Sequence, residues 1–515
     1  MKVIPFAVIL FLTLSLWPLS SQAAYEIKIN GNKKFSAELL KREILFLKFR
    51  DAGKNELQKA ADLLQEFYED RGFLLAEVTY TIIEKNDTLK LPLAVFNIQE
   101  NDQFYFGEID IKGLNYNKPA FVRSLINLEA GQPLSRNLIV KYQKELNNSA
   151  LFDSAKFLIK DFDWEKARVN LVLWVYERKP FFVGSGIGLD SEDGLKYIAE
   201  GGRRHLWGRG EQARLEGAIS YYYTNSVFLK HVHLSGSYFD PLFIWRRLQW
   251  MGKVGYESDK PTYVVFSFGK FSAESNFRIL LMENLSAQVG GSFDKVQLYK
   301  YSGEYIHDKR IRDRIDQNRQ LRFGLSYNST YPQFDPMIGH KWELNYQYTG
   351  GLLGGNNDFN RFTGTFSIFL PINSRNVLAL HSRAGWMERF GETVSIPSYQ
   401  RFFLGGSRNL RGYRNNHIGP QNENGRYTGG LVLVYHAVEW RHLLSRRWQL
   451  IGFIDSGLLT NKIAELKVEN FVITAGPGFR YRWRGSLFAL DLGVKVSDFY
   501  WKEPGWVHFG YGQHF

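Results

Sequence analysis

A chain of 515 residues with no cysteine is long enough for several domains and holds none of them together by disulfides. Aromatic residues make up 16% and there are 47 glycines, which favours aromatic-rich strands over helices, although the mean hydropathy is only −0.29. A net charge of +13 would suit nucleic acid in a cytosolic protein, but the amino-terminal segment reads as an export signal and excludes that class. Lys2 precedes an apolar stretch from Val3 to Trp17, and Ser21-Gln22-Ala23 follows as a small-x-small cleavage pattern. Residues 1–23 are therefore expected to be a secretory signal peptide, too short between Pro5 and Pro18 for a membrane span. No later run reaches the roughly 18 apolar residues of a membrane helix, which leaves a secreted soluble protein or a β-barrel.

From Tyr25 the pattern mixes strands and helices. Tyr25–Ile29 reads as a strand. Ser36–Phe49 reads as a helix capped by Ser36, with Leu39, Leu40, Ile44 and Leu47 on one stripe. Asn55–Tyr68 is a second helix that stops near Gly72, and strands follow at Ala76–Ile83 and Leu91–Gln99. This β-α-α-β-β order takes about 75 residues, a small-domain length. The order then recurs: a strand at Phe106–Lys112, helices at Lys118–Ile126 and Ser135–Asn147, strands at Ala155–Phe162 and Arg168–Glu177. Glu26-Ile27-Lys28-Ile29-Asn30-Gly31 and Glu108-Ile109-Asp110-Ile111-Lys112-Gly113 open the two copies alike, so an internal repeat is expected, with modules over 24–102 and 103–178.

Beyond Pro180 the period changes to two. Leu321, Phe323, Leu325 and Tyr327 alternate with Arg322, Gly324 and Ser326; Phe488, Leu490, Leu492 and Val494 alternate with Ala489, Asp491, Gly493 and Lys495. Charges on one strand face are costly in a dry sandwich core and cheap in a watery lumen. Such segments number about 16 over 179–515, near the porin range, and predict an antiparallel transmembrane β-barrel. Closure is required, because strand edges cannot stay unpaired in lipid. Asp308–Arg319 reads as a charge-dense surface loop. At the carboxyl end Val507, Phe509, Tyr511 and Phe515 fall on one face, placing an aromatic residue last.

Between two alternating segments lies the polar, glycine-rich stretch Ser398–Pro420, part of a loop expected over 391–425. Gly405-Gly406 is followed by Leu410-Arg411-Gly412-Tyr413, a turn that needs the permissive backbone of Gly412 and presents one guanidinium. That group stays charged, so it must meet water or a carboxylate. An exposed loop with a solvated arginine is the plain alternative; Glu439 and Asp455 are the acids expected to meet it otherwise. Setting Asp455 inward sets Phe453 and Ile451 inward, and setting Glu439 inward does the same for Arg441, Ala437 and Tyr435.

Together, the repeated modules, about 16 strands, the Gly-Gly and Leu-Arg-Gly-Tyr loop before the twelfth strand, Phe453-x-Asp455 on the thirteenth and the terminal Phe515 resemble the BamA/TamA outer-membrane assembly superfamily. The modules are similar to its POTRA domains, and Arg401–Pro420 resembles the TamA-like branch, the translocation and assembly module, most. The resemblance implies a barrel in the outer membrane of a Gram-negative bacterium, preceded by two periplasmic α+β POTRA domains. It implies that the loop folds into the lumen, that Arg411 pairs with Asp455 and Glu439, and that Tyr413 packs the loop tip. It also implies a weak seam between the first strand, near Phe181–Leu189, and the last, near Val507–Phe515. Two departures stand out: relatives of that branch usually carry three POTRA domains, and Gln513 stands where the family's terminal signal prefers an apolar residue. Two-partner-secretion transporters have two POTRA domains, but they begin with a plug helix and a Pro-rich linker that Ala24–Phe35 does not resemble.

Catalytic readings fail on their chemistry. Gly184-Ser185-Gly186-Ile187-Gly188 has no following helix and no lysine in place, His231-x-His233 lacks a third ligand, and no Gly-x-Ser-x-Gly elbow occurs. No enzyme, metal or cofactor is expected. The expected function is receipt of unfolded outer-membrane or secreted clients through the POTRA domains and their insertion or translocation through the barrel. The alternative is a two-partner-secretion-type pore for one exoprotein. Expected partners are those clients, outer-membrane lipid and a periplasm-spanning or inner-membrane protein, with no nucleic acid.

Overall fold

The structure, a computed structural model, describes residues 25–44, 54–83, 92–223, 227–245, 247–261, 264–301, 304–305, 315–333, 335–483, 486–496 and 505–512. They fall into two compact units, Met1–Arg178 and Lys179–Phe515. The expected signal peptide, the end of the first helix, Gln513 and Phe515 lie outside the described residues.

The first unit builds one design twice. β1 (Glu26–Asn30), α1 (Ala37–Ile44), α2 (Lys54–Glu69), β2 (Glu77–Ile83) and β3 (Leu93–Gln99) form a sheet of order β1-β3-β2 covered by helices. Ser36 Oγ accepts the Leu39 N–H, and the stripe Leu40, Ile44, Leu57 and Leu64 is fully buried against Tyr68 and Phe96. Each such leucine or isoleucine contributes about 1.5–3 kcal/mol. β4 (Tyr105–Lys112), α3 (Pro119–Leu125), α4 (Arg136–Asn148), β5 (Phe152–Asp163) and β6 (Arg168–Glu177) repeat it with order β4-β6-β5. Gly31 and Gly113 occupy the same place, at φ +81° and +88°, and a Cβ on either would lie 2.1 Å from a carbonyl oxygen of the central strand. The repeat extends to a feature that periodicity does not show. Glu100 accepts the N–H groups of Lys33 and Lys34, and Glu177 accepts those of Asn115, Tyr116 and Asn117, so each central strand ends in a carboxylate that ties down the loop after the first strand.

In the second unit sixteen strands close into an antiparallel barrel. The first seven are β7 (Phe181–Asp190), β8 (Gly194–Arg203), β9 (Gln212–Tyr223), β10 (Val227–Asp240), β11 (Leu248–Asp259), β12 (Phe266–Leu280) and β13 (Leu285–Tyr301). Next come β14 (Ile315–Asn328), β15 (Gly339–Thr349), β16 (Phe359–Pro371), β17 (Asn376–Arg389) and β18 (Val432–Leu443). β19 (Trp448–Thr460), β20 (Val472–Trp483), β21 (Ser486–Lys495) and β22 (Trp506–Gly512) complete the wall, and the short pair Glu304–Tyr305 only extends the hairpin from β13. No helix is long and apolar enough to cross a membrane among the described residues. Val438, Trp440, Ile454, Leu490 and Leu492 are exposed on the outer face, where Phe323, Tyr346, Phe362 and Trp386 stack in a row. Glu439, Arg441, Asp455, Arg480 and Asp491 are buried on the inner face.

One expectation is corrected here. Of the expected surface loop Asp308–Arg319, residues 308–314 lie outside the described residues, while Ile315–Arg319 open β14. The polar residues of that stretch alternate, so Asp316 and Asn318 face the lumen and find partners: the Tyr399 hydroxyl donates to Asp316 at 2.8 Å, and Asn357 donates to Asn318 at 2.9 Å. A polar interior accepts in a strand what a dry core would reject.

Candidate functional site

β17 ends at Arg389 and β18 begins at Val432, and the intervening loop turns into the barrel. Its apolar residues Phe402, Leu404, Leu410 and Ile418 are buried against Met387, Leu433, Tyr435 and Leu459 of the wall. This packing anchors the loop; its polar tip then chooses a position by charge. Gly405 and Gly406 take φ of +107° and +113°, and the turn closes with the Gly406 N–H donating to Leu410 O at 3.2 Å. Arg411 follows immediately.

Arg411 converges with the acids. Its backbone N–H, Nε and Nη2 donate to Asp455 at 3.1, 2.8 and 2.7 Å, and Nη1 donates to Glu439 at 2.7 Å. Phe453, on the same inner face of β19 as Asp455, lies flat beneath the guanidinium, 3.6 Å from ring centroid to Cζ. The Arg411 side chain is 4% exposed and that of Asp455 0%. Burial works against the Arg411 charge, but Glu439 and Asp455 outweigh it and hold the pKa well above its ordinary value. Glu439 is shared with Arg441, whose Nη2 is 2.8 Å away; Arg441 and Arg482 both reach Asp335; Arg480 forms a two-pronged pair with Asp491. Alternation indicates that these side chains point inward, but it carries no sign of who pairs with whom.

The residues beside Arg411 reach the seam. Gly412, at φ +88°, donates its N–H to His508 Nε2 on β22 at 3.1 Å, and Gly493 of β21 approaches so closely that neither glycine has room for a Cβ. Tyr413 lies under Lys495 Nζ at 4.4 Å, and Arg414 stacks over Trp506 at 4.4 Å. On the other side of the seam, Glu192 in the hairpin turn after β7 accepts the Ser407 N–H, and Arg408 lies 3.5 Å from Asp190. Burial pushes the Glu192 carboxyl up, against the Ser407 N–H that favours its charged form. One loop therefore holds the first hairpin and the last strand at once. Among the described residues, β22 and β7 share Gly510↔Asp190 and Tyr511↔Leu189, and β21 and β22 pair from Leu487↔Gly512 to Gly493↔Trp506. Of the expected seam residues, Phe509 points outward and Tyr511 stacks on Phe488 at 4.2 Å, away from the Arg411 cluster.

Arg411, Gly412, Tyr413, Glu439, Phe453 and Asp455 thus gather at one place, with Gly405 and Gly406 one turn away. His508, Glu192 and the Arg480–Asp491 pair belong to the same cluster and were not singled out from the sequence. The inward parity of His508 and Asp491 was the only available signal.

Comparison with known proteins gives two matching family profiles, the Omp85 superfamily domain over residues 206–515 and the surface antigen variable number repeat, or POTRA, over residues 25–101. The chain is 22% identical over 508 residues to the outer membrane protein assembly factor BamA of Nitratidesulfovibrio vulgaris, covering 94% of this chain and 62% of that protein. Against BamA of Neisseria meningitidis serogroup B it is 21% identical over 373 residues, covering 68% and 44%. The chain therefore spans less than two thirds of the length of these curated relatives. Among solved structures, BamA from Haemophilus ducreyi lacking POTRA domains 1–3 aligns with a TM-score of 0.65 at 18% identity, over 95% of this chain and 99% of that one. CdiB from Acinetobacter baumannii aligns at 0.56 and 12% identity, over 95% and 89%. At such identities the likeness is one of fold.

Proposed function

This chain belongs to the Omp85 superfamily, and from that premise we propose that it is a non-enzymatic assembly factor of the outer membrane, inserting or translocating client proteins. In this reading both modules of the first unit stand in the periplasm and bind extended clients at their free sheet edges. Among the described residues β2 and β5 each pair on one side only, with β3 and β6. Backbone hydrogen bonds to such an edge give affinity without demanding a particular sequence, which suits a receiver of many clients.

The observation that carries the reading is the loop docked across the seam, bound to β22 at His508 and to the turn after β7 at Glu192. Among the described residues β7 meets β22 at Gly510↔Asp190 and Tyr511↔Leu189. A wall that opens at this line offers a client strand a template. In the same reading Arg411 is the lock: it holds the loop against Asp455 and Glu439, and the loop in turn holds both sides of the seam.

Depletion of the protein followed by an inventory of the outer membrane tests this. A general factor lowers several barrel proteins together. Loss of one exported protein, with the others unchanged, would instead indicate a dedicated two-partner-secretion-type pore.

A further inference from the structure

The inner wall is unevenly paired. From β18 to β20, and at Arg411 in the loop, inward guanidiniums have carboxylates: Arg411, Arg441, Arg480 and Arg482 share Asp335, Glu439, Asp455 and Asp491. On β16 and β17 this pairing stops. Arg361 donates to the Gln400 carbonyl at 3.3 Å and lies over the Phe402 ring at 4.6 Å; Arg383 reaches Asn409 Oδ1 at 3.5 Å. Neither has a carboxylate partner among the described residues.

Both arginines line a lumenal cavity of about 670 Å³, together with Arg322, Asn345, Gln347 and Thr363. Strand register sets their spacing. Arg322, Gln347 and Arg361 stand opposite one another on β14, β15 and β16, so the outer two are two strand spacings apart, about 10 Å. Arg383 is one strand further, opposite Thr365. Arg408 of the loop tip adds a fourth guanidinium, already engaged with Asp190 and Asp193 at 3.5 and 3.9 Å. The acids nearby are few. Glu274 lies 3.4 Å from Arg322, and Glu343, exposed and opposite Thr365, accepts from Asn345 Nδ2 at 2.8 Å.

Like charges gathered in a half-enclosed space repel each other, and an anion between them relieves the repulsion. The donors here are guanidinium forks, side-chain amides and a hydroxyl approaching from four strands. They match a ligand with acceptor oxygens on several sides, as a diphosphate has and a single side-chain carboxylate lacks. We propose that this cavity is a lumenal oxyanion site for a phosphate-class ligand. Seven strands separate β14 from the seam on one side and five separate β17 from it on the other. A soluble anion arriving through the lumen therefore reaches the site more directly than a lipid headgroup entering at the seam.

The test uses the full chain in a phosphate-free, non-ionic detergent, with pyrophosphate titrated by calorimetry and folding checked by heat-modifiable gel migration. Saturable binding at one site is expected. Arg361→Gln and Arg383→Gln should each weaken it roughly tenfold, the scale of one charge-assisted hydrogen bond. Arg383→Lys, which keeps the charge and loses the fork, should lose less than Arg383→Gln. Arg375→Gln, on an exposed turn, should change nothing. If Arg361→Gln fails to fold because it loses Phe402, Arg383→Gln decides, since its protein contact is long. Repeating the titration in nanodiscs of anionic lipid separates the sources: competition by the lipid assigns a headgroup, and no competition assigns a soluble anion. Absence of saturable binding, wild-type affinity in both glutamine variants, or binding of an acidic peptide in place of pyrophosphate would overturn the proposal.

Discussion

Replacing Arg411 by alanine removes two of the three hydrogen bonds to Asp455 and the one to Glu439. The backbone bond at 3.1 Å can survive; the two side-chain bonds cannot. Asp455 is fully buried and keeps no charged partner, and an orphaned buried charge of this kind costs about 3–5 kcal/mol. Glu439 suffers less because Arg441 stays 2.8 Å away. Water admitted as the loop loosens lowers the total, so about 3 kcal/mol is the expected loss, measured by urea unfolding of the purified protein in micelles. Arg408 is 53% exposed and its ion pairs are long, which makes Arg408→Ala worth at most about 1 kcal/mol. Arg414→Ala, which loses a stacking contact on Trp506, should also cost about 1 kcal/mol. Client assembly in cells should fall in the same order, with Arg411→Ala well below the other two. The double variant Arg411→Ala with Asp455→Ala should cost less than the sum of the singles, because no charge is then left unpaired. Equal effects from the three arginines, or strict additivity in the double variant, would refute the lock.

Three further outcomes follow from the same geometry. Gly412→Ala and Gly493→Ala should each undock the loop at a cost of about 1–3 kcal/mol, since the first forces a side chain to φ +88° and the second sets a Cβ 2.3 Å from the Gly412 nitrogen; faster protease cleavage within 391–425 is the readout. Leu189→Cys with Tyr511→Cys joins the two sides of the seam in a chain that has no other cysteine, so oxidation should stop client insertion and reductant restore it; full activity of the oxidised form would exclude an opening seam. Glu192 titrates above its ordinary value because of burial, so the fold favours its neutral form. Its contribution is complete at low pH and is lost as pH rises from the usual carboxylate range through the higher folded value. Urea midpoints should therefore fall as pH rises above the usual carboxylate range in the wild type, and this component should vanish in Glu192→Gln.

Much of the architecture is local and was readable without coordinates. A period of two in β14 and β21, and the helical stripes through Leu40 and Ile44 on α1 and through Leu57 and Leu64 on α2, each depend on neighbours a few residues away. The charge on Arg411 is equally local: a guanidinium that cannot deprotonate, on a loop flanked by inward-facing acids, has few places to go. Long-range register is different. His508 meets Gly412 across 96 residues and Glu192 meets Ser407 across 215, and no periodicity reports such distances. The run Ile315–Arg319 looked like a loop because its charges suggest solvent, and only the polar lumen made it a strand. Arg480 finds Asp491 across a single hairpin, whereas it is the order of the strands that leaves Arg361 without an acid among the described residues. A strand's own residues decide which side chains point inward, but the order and stagger of all sixteen strands decide what each one faces there.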